Sequence, residues 1–130
     1  MRRTSVFVVE DHAMLRDRLI DLLGKHFDVC GQAGDGAGAV KLLRTLRPDV
    51  IILDVSLPDM SGVDLTRSLQ RTLRNTSIVA LTAHEEPEVA EACMSAGATA
   101  VVPKSRLISE LVPAVARAAQ PVGARPSRST

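Results

Sequence analysis

The chain has 130 residues, enough for one domain around one core. Hydrophobic residues make up 45% and charged residues 24%, the balance of a folded globular chain rather than a disordered or fibrous one. Sixteen basic against fifteen acidic residues leave a formal charge of +1, and there is no Trp or Tyr, so neither net charge nor an aromatic-laced basic stripe argues for nucleic-acid binding.

Short apolar runs alternate with amphipathic stretches. The first run, Ser5 to Val9, predicts a strand and is followed by Leu15, Leu19, Leu22 and Leu23 on one helical face. Val29 to Ala33 predicts a second strand, with Val40, Leu43 and Leu46 on the helix after it. Val50 to Leu53 is a third, rich in Ile and Val, followed by the stripe Leu65, Leu69 and Leu73. Ile78 to Leu81 predicts a fourth strand before the stripe Val89, Ala92, Cys93 and Ala96. Thr99 to Val102 predicts a fifth before Ile108, Leu111, Val112 and Val115. Pro113 conflicts with a long last helix, which therefore either starts late, with Ser109 as N-cap, or bends.

Strand–helix alternation of this kind predicts an α/β fold: a doubly wound, five-stranded parallel sheet with five helices. A fragment of a parallel barrel needs more strands than the chain supplies. The domain is expected to run from residue 1 to 120, and the Pro/Gly/Ser/Arg-rich stretch 121–130 reads as a flexible tail or the start of a linker. No apolar run approaches the ~20 residues that span a bilayer. Arg2 and Arg3 lead into the first strand and then Glu10-Asp11, not into a cleavage site, so no signal peptide and a cytoplasmic location are expected. Cys30 and Cys93 form no metal-binding or redox spacing and are expected to be buried as small apolar side chains.

The strands end in polar residues: Glu10-Asp11 after the first, Asp54 after the third, Thr82 after the fourth and Lys104 after the fifth. Sheets of this type bind ligands beyond the carboxyl ends of their strands, so these side chains are expected to share one shallow pocket. Taken singly, each has a bland reading as a cap, turn or solvated residue. Together they form a compatible chemical set. Clustered carboxylates repel one another, and a hard divalent cation such as Mg²⁺ relieves that repulsion while keeping waters that phosphate oxygens can replace. Asp54 could then act as a carboxylate nucleophile toward phosphorus, with Lys104 neutralising charge and Thr82 donating a hydroxyl.

The segments Val-Val-Glu-Asp-His at 8–12, Pro-Asp-Val-Ile-Ile-Leu-Asp at 48–54, Leu-Pro-Asp-Met-Ser-Gly at 57–62, Leu-Thr-Ala-His at 81–84, and Ala-Gly-Ala followed by Lys104 have a specific order and spacing. Over roughly residues 4 to 119 the chain resembles the receiver domains of two-component response regulators, and its Asp-His and Leu-Thr-Ala-His segments resemble the NarL/FixJ-like branch. The resemblance implies a flavodoxin-like fold and a phosphoacceptor at Asp54. It implies Mg²⁺ held by Asp11 and Asp54, by Glu10 through water and by the backbone carbonyl of Ser56. It implies Thr82 as switch hydroxyl, Lys104 as phosphate partner, loop-shaping roles for Pro58 and Gly62, and Ser56 and His84 at positions that modulate dephosphorylation. The implied partners are a sensor histidine kinase, a second copy in a homodimer, and a downstream effector domain or protein. That effector would commonly be a DNA-binding one; direct nucleic-acid or membrane contact by this domain is not expected. Such a domain is a signalling phosphoacceptor rather than an enzyme.

Two departures stand out. Val101 occupies the position, three residues before the lysine, where the family carries Tyr or Phe. Ser105 follows Lys104 and Pro103 precedes it, where many members place a proline after the lysine. Two competing readings are a pseudo-receiver that binds proteins without the chemistry, which Val101 favours, and a Mg²⁺-dependent phosphohydrolase. The latter would want an acid–base carboxylate two residues past Asp54, where Ser56 stands.

Overall fold

A computed structural model describes residues 3–83 and 85–120. The elements are β1 (Ser5–Val9), α1 (Ala13–Gly24), β2 (Asp28–Ala33), α2 (Gly36–Leu43), β3 (Val50–Asp54), α3 (Gly62–Thr72), β4 (Ser77–Thr82), α4 (Pro87–Ala96), β5 (Ala100–Pro103), a 3₁₀ turn at Lys104–Arg106, and α5 (Leu107–Ala118). All strand pairs are parallel and the order is β2-β1-β3-β4-β5, the doubly wound sheet expected from the alternation. The stretch 121–130 lies outside the described residues.

Alternation along the strands sorts the core onto two faces. Val6, Val8, Val50, Ile52, Val79 and Leu81 pack with Leu19 and Leu23 of α1 and with Leu111 and Val115 of α5. Phe7, Val9, Ile51, Leu53 and Ile78 pack on the other face with Leu43 of α2 and with Leu65 and Leu69 of α3. A smaller cluster of Ala80, Cys93 and Ala98 seats α4, with Val101 of β5 half-buried against it. The central strands β1, β3 and β4 are buried on both faces, which is why they read as nearly unbroken apolar runs.

Local chemistry sets the helix ends. His12, Asp35 and Ser61 cap α1, α2 and α3 through side-chain acceptors, α4 starts with Pro87 and ends at Gly97 in the left-handed conformation (φ 116°). The last helix departs from one sequence expectation. It begins at Leu107 rather than near Ser109 and carries the exposed Pro113 in its interior. Its inward face, with Leu107, Leu111, Ala114, Val115 and Ala118 buried, outweighs the one backbone bond that proline forfeits. Cys93 is buried as expected, whereas Cys30 is only half-buried because β2 is an edge strand; neither forms a disulfide. No helix among the described residues is long and apolar enough to cross a membrane.

Candidate functional site

Strand order switches at β1, which has β2 on one side and β3 on the other, so β1 and β3 end side by side at the rim where such sheets take ligands. Their register pairs Val9 with Leu53, which brings Glu10 and Asp11 next to Asp54. On the other side Asp54 pairs with Leu81, and Thr82 pairs with Pro103, the residue before Lys104. Strand register thus gathers five of the polar residues read from the strand ends at one rim.

Ligand atoms of Glu10, Asp11 and Asp54 all lie within 4.8 Å of one another. Glu10 is 0% exposed and Asp54 2%, whereas Asp11 is open to solvent. Lys104 reaches across and places Nζ 2.8 Å from Asp54 Oδ2 and 3.2 Å from Glu10 Oε1. Asp54 Oδ1 accepts from Ser56 N–H at 2.9 Å, and Glu10 Oε2 accepts from His12 N–H at 3.0 Å. Glu10 Oε1 has the ammonium at ion-pair distance but receives no well-directed hydrogen bond among the described residues. Thr82 is buried at the end of β4.

These contacts shape the charge states. Burial pushes the Glu10 carboxyl up to about 7, the His12 N–H opposes that rise, and the Asp54 charge adds to it. Burial works to lower the Lys104 ammonium, but the hydrogen bond to Asp54 and the charges of Asp54 and Glu10 outweigh it, leaving the group above its ordinary value. Among the described residues the acidic groups thus lie close together around one cationic side chain, with Glu10 Oε1 short of a well-directed hydrogen bond. Such a donor set suits a hard, oxygen-loving divalent cation.

The loop after β3 is closed tightly. Ser56 and Ser61 form an isolated antiparallel bridge, and Gly62 N–H returns to the Val55 carbonyl at 2.8 Å. Gly62 earns its place by close approach rather than by an unusual turn conformation. A Cβ there would lie 2.4 Å from the Asp54 carbonyl oxygen and 2.6 Å from Val55 Cα. Pro58 lies on the exposed side of that loop. Every described peptide bond is trans, including those flanking Lys104. His84 lies outside the described residues.

Two contacts were not singled out from sequence. Asp59 accepts from the N–H groups of Gly36 and Ala37 at 2.9 and 3.0 Å, which tethers the β3–α3 loop to the start of α2 and holds the Asp59 carboxyl below its ordinary range. Arg16 on α1 bonds the Glu10 carbonyl at 2.7 Å. Neither has a sequence signal, because each depends on how a helix or loop settles against its neighbours rather than on strand ends meeting at one rim.

The family model for the response regulator receiver domain matches residues 6–116. The chain belongs to the response regulator receiver family. Among curated relatives, this receiver domain is 40% identical over 122 residues to the DNA-binding transcriptional activator DevR/DosR of Mycobacterium tuberculosis, covering 92% of this chain and 54% of that protein. It is 35% identical over 113 residues to the response regulator GacA of Pseudomonas aeruginosa, covering 85% of this chain and 53% of that one. The chain therefore spans about half the length of the curated relatives it matches. Among solved structures, the signal receiver domain of a Mycobacterium tuberculosis response regulator designated NarL superposes with a TM-score of 0.84 at 29% identity, covering 92% of this chain and 98% of that one. A LuxR-family two-component response regulator from Aurantimonas superposes with a TM-score of 0.85 at 28% identity, covering 90% of this chain and 85% of that one.

Proposed function

We propose that this receiver domain accepts a phosphoryl group on Asp54 and thereby switches a protein-binding surface. The single observation that carries the reading is the meeting of Lys104 with Asp54 at 2.8 Å beside the three-carboxylate cluster. In this reading the Asp54 carboxylate oxygen attacks phosphorus of a phosphohistidine on a sensor kinase. The P–N bond breaks, its electron pair stays on the imidazole, and an aspartyl phosphate remains. Asp11 and Asp54 would hold Mg²⁺ directly, Glu10 through water, and Ser56 through its carbonyl. The ion supplies neutralisation of charge on the phosphoryl oxygens when bound. Lys104, already held at Asp54, exchanges one acceptor for a stronger one as the phosphoryl group arrives. Thr82, one residue past the partner of Asp54 in β4, donates its hydroxyl to the new oxygens. Ser56 and an imidazole at His84 bear on how long the phosphoryl group survives.

The expected readout face comprises α4, β5 and α5, and the expected partners are a sensor histidine kinase, a second copy of the chain, and an effector region. Because the relatives carry names such as DNA-binding transcriptional activator and are about twice as long, we infer that the chain works as the receiver part of a transcriptional regulator. The test is to incubate the protein with Mg²⁺ and acetyl phosphate and weigh it. A single phosphoryl adduct that vanishes in Asp54→Asn and in chelator supports the reading; no adduct in wild type overturns it. Val101 favours one alternative, a pseudo-receiver, which predicts partner binding indifferent to phosphodonor.

A further inference from the structure

The turn between β1 and α1 must present Glu10 and Asp11 together, the first buried and the second open to solvent. Its backbone is held on both sides. Glu10 N–H donates to the Ala33 carbonyl at 3.1 Å, continuing the strand pairing. The Glu10 carbonyl accepts instead from Arg16 Nη1 at 2.7 Å. The same guanidinium donates through Nε to Gln32 Oε1 of β2 at 2.9 Å, so it is braced from the edge of the sheet. Gly34 leaves it room: a Cβ at that position would lie 3.2 Å from Nη1. The carbonyl of residue 10 and the N–H of residue 11 belong to one rigid plane. A bond that fixes the carbonyl therefore fixes where the Asp11 nitrogen and Cα lie, the point from which its side chain departs.

We propose that Arg16 is a positioning residue for the acidic cluster, aiming Asp11 at Asp54 by clamping the Glu10–Asp11 peptide. The proposal rests on the reading that this cluster holds Mg²⁺. Among the described residues Arg16 makes no ion pair with the three carboxylates; its contacts are the peptide carbonyl and Gln32. Charge alone would make Arg16 a nuisance, because a fixed cation beside a cation site weakens binding by Coulomb repulsion. The two roles therefore predict opposite signs. If Arg16 acts only through its charge, its removal tightens Mg²⁺. If it positions Asp11, its removal weakens Mg²⁺ despite the relief of repulsion.

The experiment titrates Mg²⁺ into the protein by calorimetry and by amide NMR, for wild type, Arg16→Ala, Arg16→Lys, Gln32→Leu and the charge control Arg18→Ala. Loss of one well-placed hydrogen bond leads to an expected rise in the Mg²⁺ Kd of about three- to tenfold for Arg16→Ala, a smaller rise for Arg16→Lys and Gln32→Leu, and none for Arg18→Ala. Acetyl phosphate labelling should slow at limiting Mg²⁺ and recover at saturating Mg²⁺, a dependence that general loss of fold would not produce. If Arg16→Ala does not fold, the Arg16→Lys and Gln32→Leu variants carry the test. An unchanged or lower Kd in the folded Arg16 variants, with wild type binding Mg²⁺ normally, overturns the positioning role alone. A wild type that binds no Mg²⁺ overturns the metal-site reading and this inference with it.

Discussion

Lys104 and Asp54 meet at 2.8 Å although they are carried by β3 and by the turn after β5, with β4 lying between those strands in the sheet. The lysine side chain is 24% exposed, so its stem crosses the rim while the ammonium is drawn inward to two buried carboxylates. Lys104→Met keeps the stem and deletes the charge. It should lower the stability of the metal-free protein by about 3 kcal/mol, the lower end of the range for breaking a buried ion pair, because the ammonium is partly solvated. Urea unfolding followed by far-UV circular dichroism measures this directly, and a loss within error of zero would show that the pair contributes nothing.

Acidity of the site gives a pH dependence with a definite sign. In the metal-free protein Glu10 is raised from its ordinary value of 4.5 to about 7, so the folded state binds more protons than the unfolded state between those values. Its contribution is fully present below 4.5 and is lost as pH rises through about 7. Stability in chelator should therefore fall between pH 5 and pH 8, roughly spanning that window. Mg²⁺ at high multiples of its Kd should restore stability most at the upper end, because it binds the ionised cluster and only in the folded chain. Thermal melts with and without EDTA across this range check both halves.

Gly62 admits no side chain. Because the atoms a Cβ would strike at 2.4 and 2.6 Å belong to the backbone of Asp54 and Val55, α3 or the end of β3 must move. Gly62→Ala should cost at least about 3 kcal/mol, the top of the usual range for overpacking. It should also disturb labelling of Asp54 more than an equally destabilising change in the core such as Leu69→Ala. Matching stabilities by urea before comparing labelling rates separates the two effects.

Val101 sits half-buried beside Ala80, Cys93 and Ala98, a cluster built from small side chains. Position 101 lies outside the acidic cluster of Glu10, Asp11 and Asp54, so Val101→Phe should leave phosphoryl uptake at Asp54 unchanged. Its effect should appear in the phosphodonor-dependent self-association of the domain, measured by size-exclusion chromatography with light scattering. Identical association curves for valine and phenylalanine would mean that position 101 takes no part in output.

Periodicity and strand ends carried most of the fold. Ser5–Val9 is a strand over the residues expected; β2 and β3 differ from expectation by one residue at one end, and β4 and β5 by one residue at both. The grouping of Glu10, Asp11, Asp54, Thr82 and Lys104 was readable because parallel strands deliver their carboxyl ends to one rim whatever the details of packing. Contacts that depend on how helices settle against the sheet were not readable. Nothing in the order of residues couples Arg16 to the Glu10 carbonyl or Asp59 to the start of α2. The continuous helix through Pro113 was likewise settled by burial of the opposite face, a tertiary effect that outweighs local preference.

The ring of Phe7 fills the space that a side chain at Gly31 would need, 2.8 Å from where its Cβ would stand, and the pairing of β1 with β2 slips by one residue between Val6 and Phe7. Edge strand β2 therefore adheres to the sheet through a glycine and an interrupted ladder. This seam should be the domain's first to breathe, with amide protons of β2 exchanging ahead of those in β3 and β4. Since Gln32 on that strand braces Arg16, the rhythm of opening at the edge would be felt at the turn bearing Glu10 and Asp11.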